Sequence, residues 1–203
     1  MEEFLIYLSL GFDHITDPQG YDHILFVIAL CAIYTIRQWR KVLILVTAFT
    51  IGHSMTLALA TLRIIDYNTK LIELLIPITI LITAVSNFTS KKADNRFVVR
   101  EQSPILRYVL ALAFGLIHGM GFSNYLRSLL GRETNIVNQL LAFNIGLEIG
   151  QLFIVGLVLI AAFVAIDRLR VRKHDWTLVV SGIVVGMALS LIIGNAYLAN
   201  LFG

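Results

Sequence analysis

Six stretches of the chain are apolar for long enough to predict helices that cross a bilayer, at about 21–36, 42–62, 71–88, 105–122, 138–166 and 176–198. A crossing helix needs about 20 mostly apolar residues. The fifth stretch exceeds that need, so it is expected to tilt or to project beyond the bilayer. Ahead of the first, residues 4–12 are apolar but too few to cross. They follow Glu2 and Glu3 rather than basic residues and lack a small-residue cleavage site, unlike a signal peptide. They predict an interfacial or half-inserted helix, which Pro18 and Gly20 then interrupt. The expected fold is all-α: a polytopic membrane bundle of about six transmembrane helices plus a short N-terminal interfacial helix, forming one transmembrane domain over 1–203.

Composition narrows this further. Of 203 residues, 58% are hydrophobic and 14% charged, against roughly 25% charged in soluble domains. The mean hydropathy is +0.82. A water-soluble fold would need far more polar surface. Cys31 is the only cysteine, so neither an internal disulfide nor a thiolate metal cluster can form. The pI of about 9.1 does not indicate nucleic-acid binding, because the basic residues sit between apolar runs, where they set orientation. Twelve lie in alternate loops: Arg37, Arg40, Lys41; Lys91, Lys92, Arg96, Arg100, Arg107; Arg168, Arg170, Arg172, Lys173. The remaining loops carry four: Arg63, Lys70, Arg127 and Arg132. The richer side is expected to be cytoplasmic, with Trp39 and Trp176 at its boundary and both termini outside.

That orientation gathers the polar residues toward the outer side. His14, Asp17, Asp22 and His23 precede or open the first span, and His53 lies past the middle of the second. Glu73 starts the third, His118 is in the outer half of the fourth, and Asn144, Glu148 and Gln151 are in the fifth. Asn195 is near the outer end of the sixth. His174, among cytoplasmic charges, reads as solvated. A carboxylate in hydrocarbon needs a partner and an inward orientation. The i, i+4, i+7 spacing of Asn144, Glu148 and Gln151 puts them on one face. Gly115 and Gly119 around His118, and Gly146 and Gly150 around Glu148, permit close helix approach. The expected picture is the fourth and fifth spans in near contact, with His118 and Glu148 facing one cavity.

Plainer readings exist for single residues. Thr50, Ser54 and Thr56 lie near enough to satisfy His53, Glu73 suits a helix cap, Asp13 and Asp17 suit turns, and Asp22 suits an N-cap. Taken together, imidazole and carboxylate make a borderline donor set for Ni²⁺, Zn²⁺, Co²⁺ or Fe²⁺. Missing thiolate and scarce methionine disfavour Cu⁺, and four histidines are more nitrogen than Mg²⁺ or Ca²⁺ selects.

At these residues the chain resembles the HupE/UreJ family of hydrogenase- and urease-accessory membrane proteins, in its larger branch. The resemblance rests on Gly20-Tyr-Asp-His-Ile-Leu-Phe26, Phe49-Thr-Ile-Gly-His-Ser-Met-Thr-Leu57, Phe114-Gly-Leu-Ile-His-Gly-Met-Gly-Phe122 and Phe143-Asn-Ile-Gly-Leu-Glu-Ile-Gly-Gln151. It implies uptake of nickel, or more broadly a divalent metal, for metalloenzyme maturation. It carries the family's signature onto His14, Asp22, His23, His53, His118 and Glu148 as metal residues. Ser54, Glu73, Asn144 and Gln151 are expected behind them or along a pathway.

The leading expectation is therefore a divalent-metal permease in a bacterial inner membrane, nickel favoured and zinc next. Its partners would be the ion and the lipid bilayer, with a homo-oligomer or an accessory membrane protein open. No G-x-x-x-x-G-K-[ST] motif is present, so uptake driven by ATP would need a partner. The alternative is an intramembrane zinc hydrolase using the same cluster, with Asp22 or Glu148 as base. A polar route continuing inward separates the two, and Thr47, Thr83 and Ser86 are the main polar residues of the inner halves. A sensor or assembly subunit is a third class, with no motif of its own.

Overall fold

The computed structural model describes residues 2–88, 104–130 and 136–198. Lys91, Lys92, Arg96, Arg100 and Arg132, part of the charge pattern, lie outside them. Among the described residues the regular structure is all helical: α1 (Glu2–Thr16), α2 (Asp22–Cys31), α3 (Trp39–Thr61), α4 (Thr69–Phe88), α5 (Pro104–Leu130), α6 (Ile136–Phe163) and α7 (Lys173–Ile193). A 3₁₀ turn at Ile36–Gln38 leads into α3, and a π turn at Val164–Arg168 prolongs α6. Five segments are long and apolar enough to cross a membrane: Ile36–Thr61, Thr69–Phe88, Ile105–Leu129, Ile136–Arg168 and Lys173–Ile193. The prolonged α6 is the long span that the sequence predicts.

The first expected span differs. Its helix, α2, has ten residues, about 15 Å at 1.5 Å per residue, half of a bilayer's hydrocarbon core. It stops because the next helix has its own start signal. Thr35 is extended and pairs reciprocally with Gln38 in a capping box, which restarts the chain in a new direction.

In place of a continuous helix, α1 and α2 divide one traverse. Leu8 and Gly11 meet Gly146 and Phe143 of α6, and Phe12 and Ile15 meet Gly150. These contacts advance together along both chains, so α1 runs parallel to α6 from the same end of the bundle, called here the near end. At the other end, Asn87 Nδ2 donates to Ala29 O (2.9 Å) and Thr177 Oγ1 donates to Ala32 O (3.0 Å). Asn87 closes α4 and Thr177 opens α7, so α2 finishes at the far end. The chain between α1 and α2, residues 17–21, breaks the traverse partway. The helix expected to be interfacial or half-inserted is thus a packed half of it.

Glycines set the main contacts. In lipid there is no hydrophobic drive between helices, so small residues that admit close approach matter most. A Cβ at Gly52 would strike Leu112 O, one at Gly115 would strike Phe49 O, and one at Gly119 would strike His53 O and Thr56 Oγ1. All three positions seat α3 on α5. The near-end terminus of α3 is closed by Ile64 N–H on Leu59 O (2.9 Å) and Arg63 N–H on Ala60 O (3.1 Å), with Arg63 at φ 59°. This is a Schellman turn without glycine. Arg127 of α5 adds bonds from Nη2 to Ala60 O and from Nε to Thr61 O (3.3 Å), its cation lying where a helix C-terminus favours one.

The two glycine pairs do not join the fourth and fifth spans to each other, as their spacing suggests. Gly115 and Gly119 pack on α3, and Gly146 and Gly150 pack on α1. Helical periodicity shows which face carries small residues, not which neighbour meets it.

Candidate metal centre

Among the largest side chains with no exposure are His53, His118 and Gln151, beside Phe26, Phe49 and Phe143. The histidines stand at the break of the divided traverse. His14 is in the last turns of α1, and Asp22 and His23 open α2. His53 comes from α3 and His118 from α5. One ligand atom each from His14, His23 and His53 falls within 4.8 Å of the others. Ring centroids are 4.7 Å apart for His14 and His23, 5.6 Å for His23 and His53 and 5.2 Å for His23 and His118. Metal–nitrogen bonds of 2.0–2.1 Å put tetrahedral donors about 3.3 Å apart. Closing on an ion therefore asks for a contraction of at most about 1.5 Å.

The partners of each ring fix which nitrogen is free. Asp22 Oδ1 accepts from the His23 backbone N–H (2.8 Å) and lies 3.0 Å from His23 Nδ1. An ionised carboxylate only accepts, so Nδ1 carries the proton and Nε2 keeps its lone pair. This carboxylate–histidine pairing is the one that orients metal ligands. His118 follows the same logic. Thr79 Oγ1 donates its single proton to Ile76 O (2.7 Å), so it accepts from His118 Nε2–H (2.9 Å). The free atoms are then His23 Nε2 and His118 Nδ1. Both are buried without a partner among the described residues, as are His14 Nε2 and both nitrogens of His53. Three buried imidazoles and the half-buried His14, each with an open nitrogen, fit a cation that prefers nitrogen.

Phenylalanines wall the cluster. Phe122 lies 3.8 Å from the His14 ring, Phe26 5.1 Å from His118 and Phe49 5.2 Å from His118. Each sits in the same sequence stretch as a histidine, which was the available signal for them. Thr79 had no comparable signal, because its role depends on α4 packing against α5. A cavity of about 510 Å³ adjoins the cluster, lined in part by Asp13, His14, Asp17 and Tyr125. Asp17 Oδ1 holds Gln19 N–H (2.8 Å) in a turn. The sequence expects Asp22 as an N-cap, but Tyr21 holds the cap position and Asp22 stands in the first turn of α2.

Glu148 stands elsewhere. It is half-buried on α6, where its Oε1 accepts from Thr47 Oγ1 (3.0 Å). The neighbouring polar residues of α6 also turn to α3: Ser54 Oγ donates to Asn144 Oδ1 (2.6 Å), and Thr50 Oγ1 lies 2.6 Å from Gln151 Oε1. The stripe predicted on α6 thus forms a seam with α3 rather than a cavity shared with His118. Glu73 and His174 are exposed.

Over residues 1–196 the chain matches the family described as "HupE / UreJ protein". No curated protein and no solved structure matches it.

Proposed function

The chain belongs to the HupE/UreJ family, and from that premise we propose that it is a permease for a divalent transition metal, nickel by preference. It is an integral membrane protein by its five long apolar helices and its family. One observation carries the reading: three imidazoles with ligand nitrogens within 4.8 Å of one another, and a fourth ring, that of His118, 5.2 Å from His23, stand where a membrane traverse is broken. Transporters of several folds place their ion sites at such breaks, where unwound backbone lines a cavity; that likeness is one of architecture. By the twelve-to-four distribution of basic residues, the near end faces outward and both termini are outside.

In this reading Asp13, Asp17 and Glu73 draw a cation to the near end. His14, Asp22 and His23 receive it, His53 and His118 complete its shell, Gln151 and Glu148 lie farther along, and Ser54 and Asn144 flank the path on their near-end side. The membrane potential supplies about 2.3 kcal/mol per charge per 100 mV, and twice that for a divalent ion. Ni²⁺ uptake into proteoliposomes under an inside-negative potential tests it. Uptake by wild type and none by His53→Ala is expected. A wild-type protein that binds Ni²⁺ and passes none would overturn the permease.

The cavity beside His14 favours a second reading, a zinc hydrolase. Three histidines leave a fourth zinc position for water, and Asp22, beside His23, would act as base; Glu148, the other base expected from the sequence, stands apart on the seam with α3. Zn²⁺-dependent cleavage of lipid or amide substrates, without ion passage, would install this reading in place of the first.

A further inference from the structure

Two polar stripes lead from the histidines toward the far end, and they differ in how well they are satisfied. On α4 the stripe is Thr79, Thr83, Ser86 and Asn87. Thr83 Oγ1 donates to Thr79 O (2.8 Å), Ser86 Oγ to Thr83 O (2.7 Å), and Asn87 Nδ2 to Ala29 O and Ser181 Oγ. These groups bind their own backbone or a neighbouring helix. On the α3–α6 seam, by contrast, Glu148 Oε2 and Gln151 Nε2 are buried with no partner among the described residues. Gln151 has no exposure at all.

The Thr50 hydroxyl sharpens this. It lies 3.2 Å from Val46 O and 2.6 Å from the Gln151 amide, yet it has one proton to give. When that proton goes to Val46 O, the amide turns to donate to Thr50, since its two ends have the same shape. The free atom of Gln151 is then its carbonyl oxygen. Residues 148 and 151 are one helical turn apart on the same face, so with the amide turned this way Glu148 Oε2 and Gln151 Oε1 are open oxygens on one face of α6. Thr47 and Thr50 add hydroxyl oxygens opposite. Thr50 and Thr47 lie three and six residues before His53, about 4.5 and 9 Å farther along α3. Exposure rises in the same direction along α3: His53 is sealed, Thr50 is buried and Thr47 is exposed.

We propose that Glu148, Gln151, Thr47 and Thr50 form a second cation station, of oxygen donors only, on the far-end side of the imidazole cluster. It rests on the permease reading, in which an ion leaves nitrogen ligands that hold it firmly for harder oxygen ligands that hold it loosely. Oxygen donors suit Mn²⁺, whereas imidazole suits Ni²⁺, so the two stations accept different probes.

The test uses full-length protein in lipid nanodiscs, saturated with Ni²⁺ and titrated with Mn²⁺, with free Mn²⁺ counted by electron paramagnetic resonance. Wild type should hold one Mn²⁺ beyond its Ni²⁺. Glu148→Gln should keep its Ni²⁺ and lose the Mn²⁺, and Thr47→Val should weaken Mn²⁺ binding several-fold. In proteoliposomes Glu148→Gln should take up Ni²⁺ at least tenfold more slowly. Absence of the extra Mn²⁺ in wild type, or its retention in Glu148→Gln, overturns the station. A wild type that holds both ions but passes neither overturns the permease reading and leaves the station standing as a binding site.

Discussion

Helix α3 has two unlike faces. Toward α5 it meets backbone through glycines, at Gly52, Gly115 and Gly119, with little room for adjustment. Toward α6 it meets hydroxyl, amide and carboxylate groups through Ser54, Thr50 and Thr47. The first face is a fit between surfaces; the second is a set of separate bonds, two members of which still have an open atom. Helix–helix hydrogen bonds in membranes average about 0.6 kcal/mol, whereas overpacking a tight contact costs about 1–3 kcal/mol or more. The α5 face therefore fixes His53 relative to His118, and the α6 face can rearrange without separating the helices.

Substitutions on each face test that contrast. The largest effect is expected from Gly119→Val, which drives a branched side chain into His53 O and Thr56 Oγ1. A loss of about 3 kcal/mol should show as aggregation in fluorescence-detected size exclusion; a monodisperse, wild-type-like peak would mean that the α3–α5 contact is loose. Next comes Asp22→Asn, which removes the carboxylate that orients His23. Ni²⁺ affinity should fall about 10–100-fold in a protein that still folds, as judged by its circular dichroism. Thr79→Val belongs with it, since it strips His118 Nε2–H of its acceptor; a loss of affinity of about tenfold is expected, and unchanged affinity would remove His118 from the account. The smallest effect is expected from Ser54→Ala on the α6 face. It breaks one bond, to Asn144, and should lower stability by about 0.6 kcal/mol while leaving Ni²⁺ binding intact. A cost above that of Gly119→Val would reverse the comparison.

The sequence made some of this arrangement legible and left other parts hidden, for physical reasons. Apolar run length exposes long helices, so α3 to α7 were readable. It does not tell a half-length helix from a full one when turn and helix are equally apolar, as at residues 32–36. The divided traverse was hidden for that reason, although Pro18 and Gly20 marked its break. Spacing placed Asn144, Glu148 and Gln151 on one face, and all three do meet one helix. Their neighbour is α3, however, and the choice of neighbour is a tertiary matter that no local pattern encodes. The histidines were readable as candidates because buried imidazole is costly and rare in hydrocarbon. The distinction between the imidazole group and Glu148 required the packing.

The central claim is that the imidazoles of His14, His23, His53 and His118 hold one divalent transition-metal ion. Equilibrium binding of Ni²⁺ to purified protein, with each histidine replaced singly by alanine, tests it most directly. The account predicts one Ni²⁺ per wild-type chain and a loss of about 100-fold in affinity for each replacement among the three closest rings, since one ligand of four carries roughly 3 kcal/mol. His174→Ala, at an exposed position, should bind as wild type does. Equal affinity in wild type and in His23→Ala and His53→Ala would contradict the claim, and the cluster would then be a packing feature of the bundle.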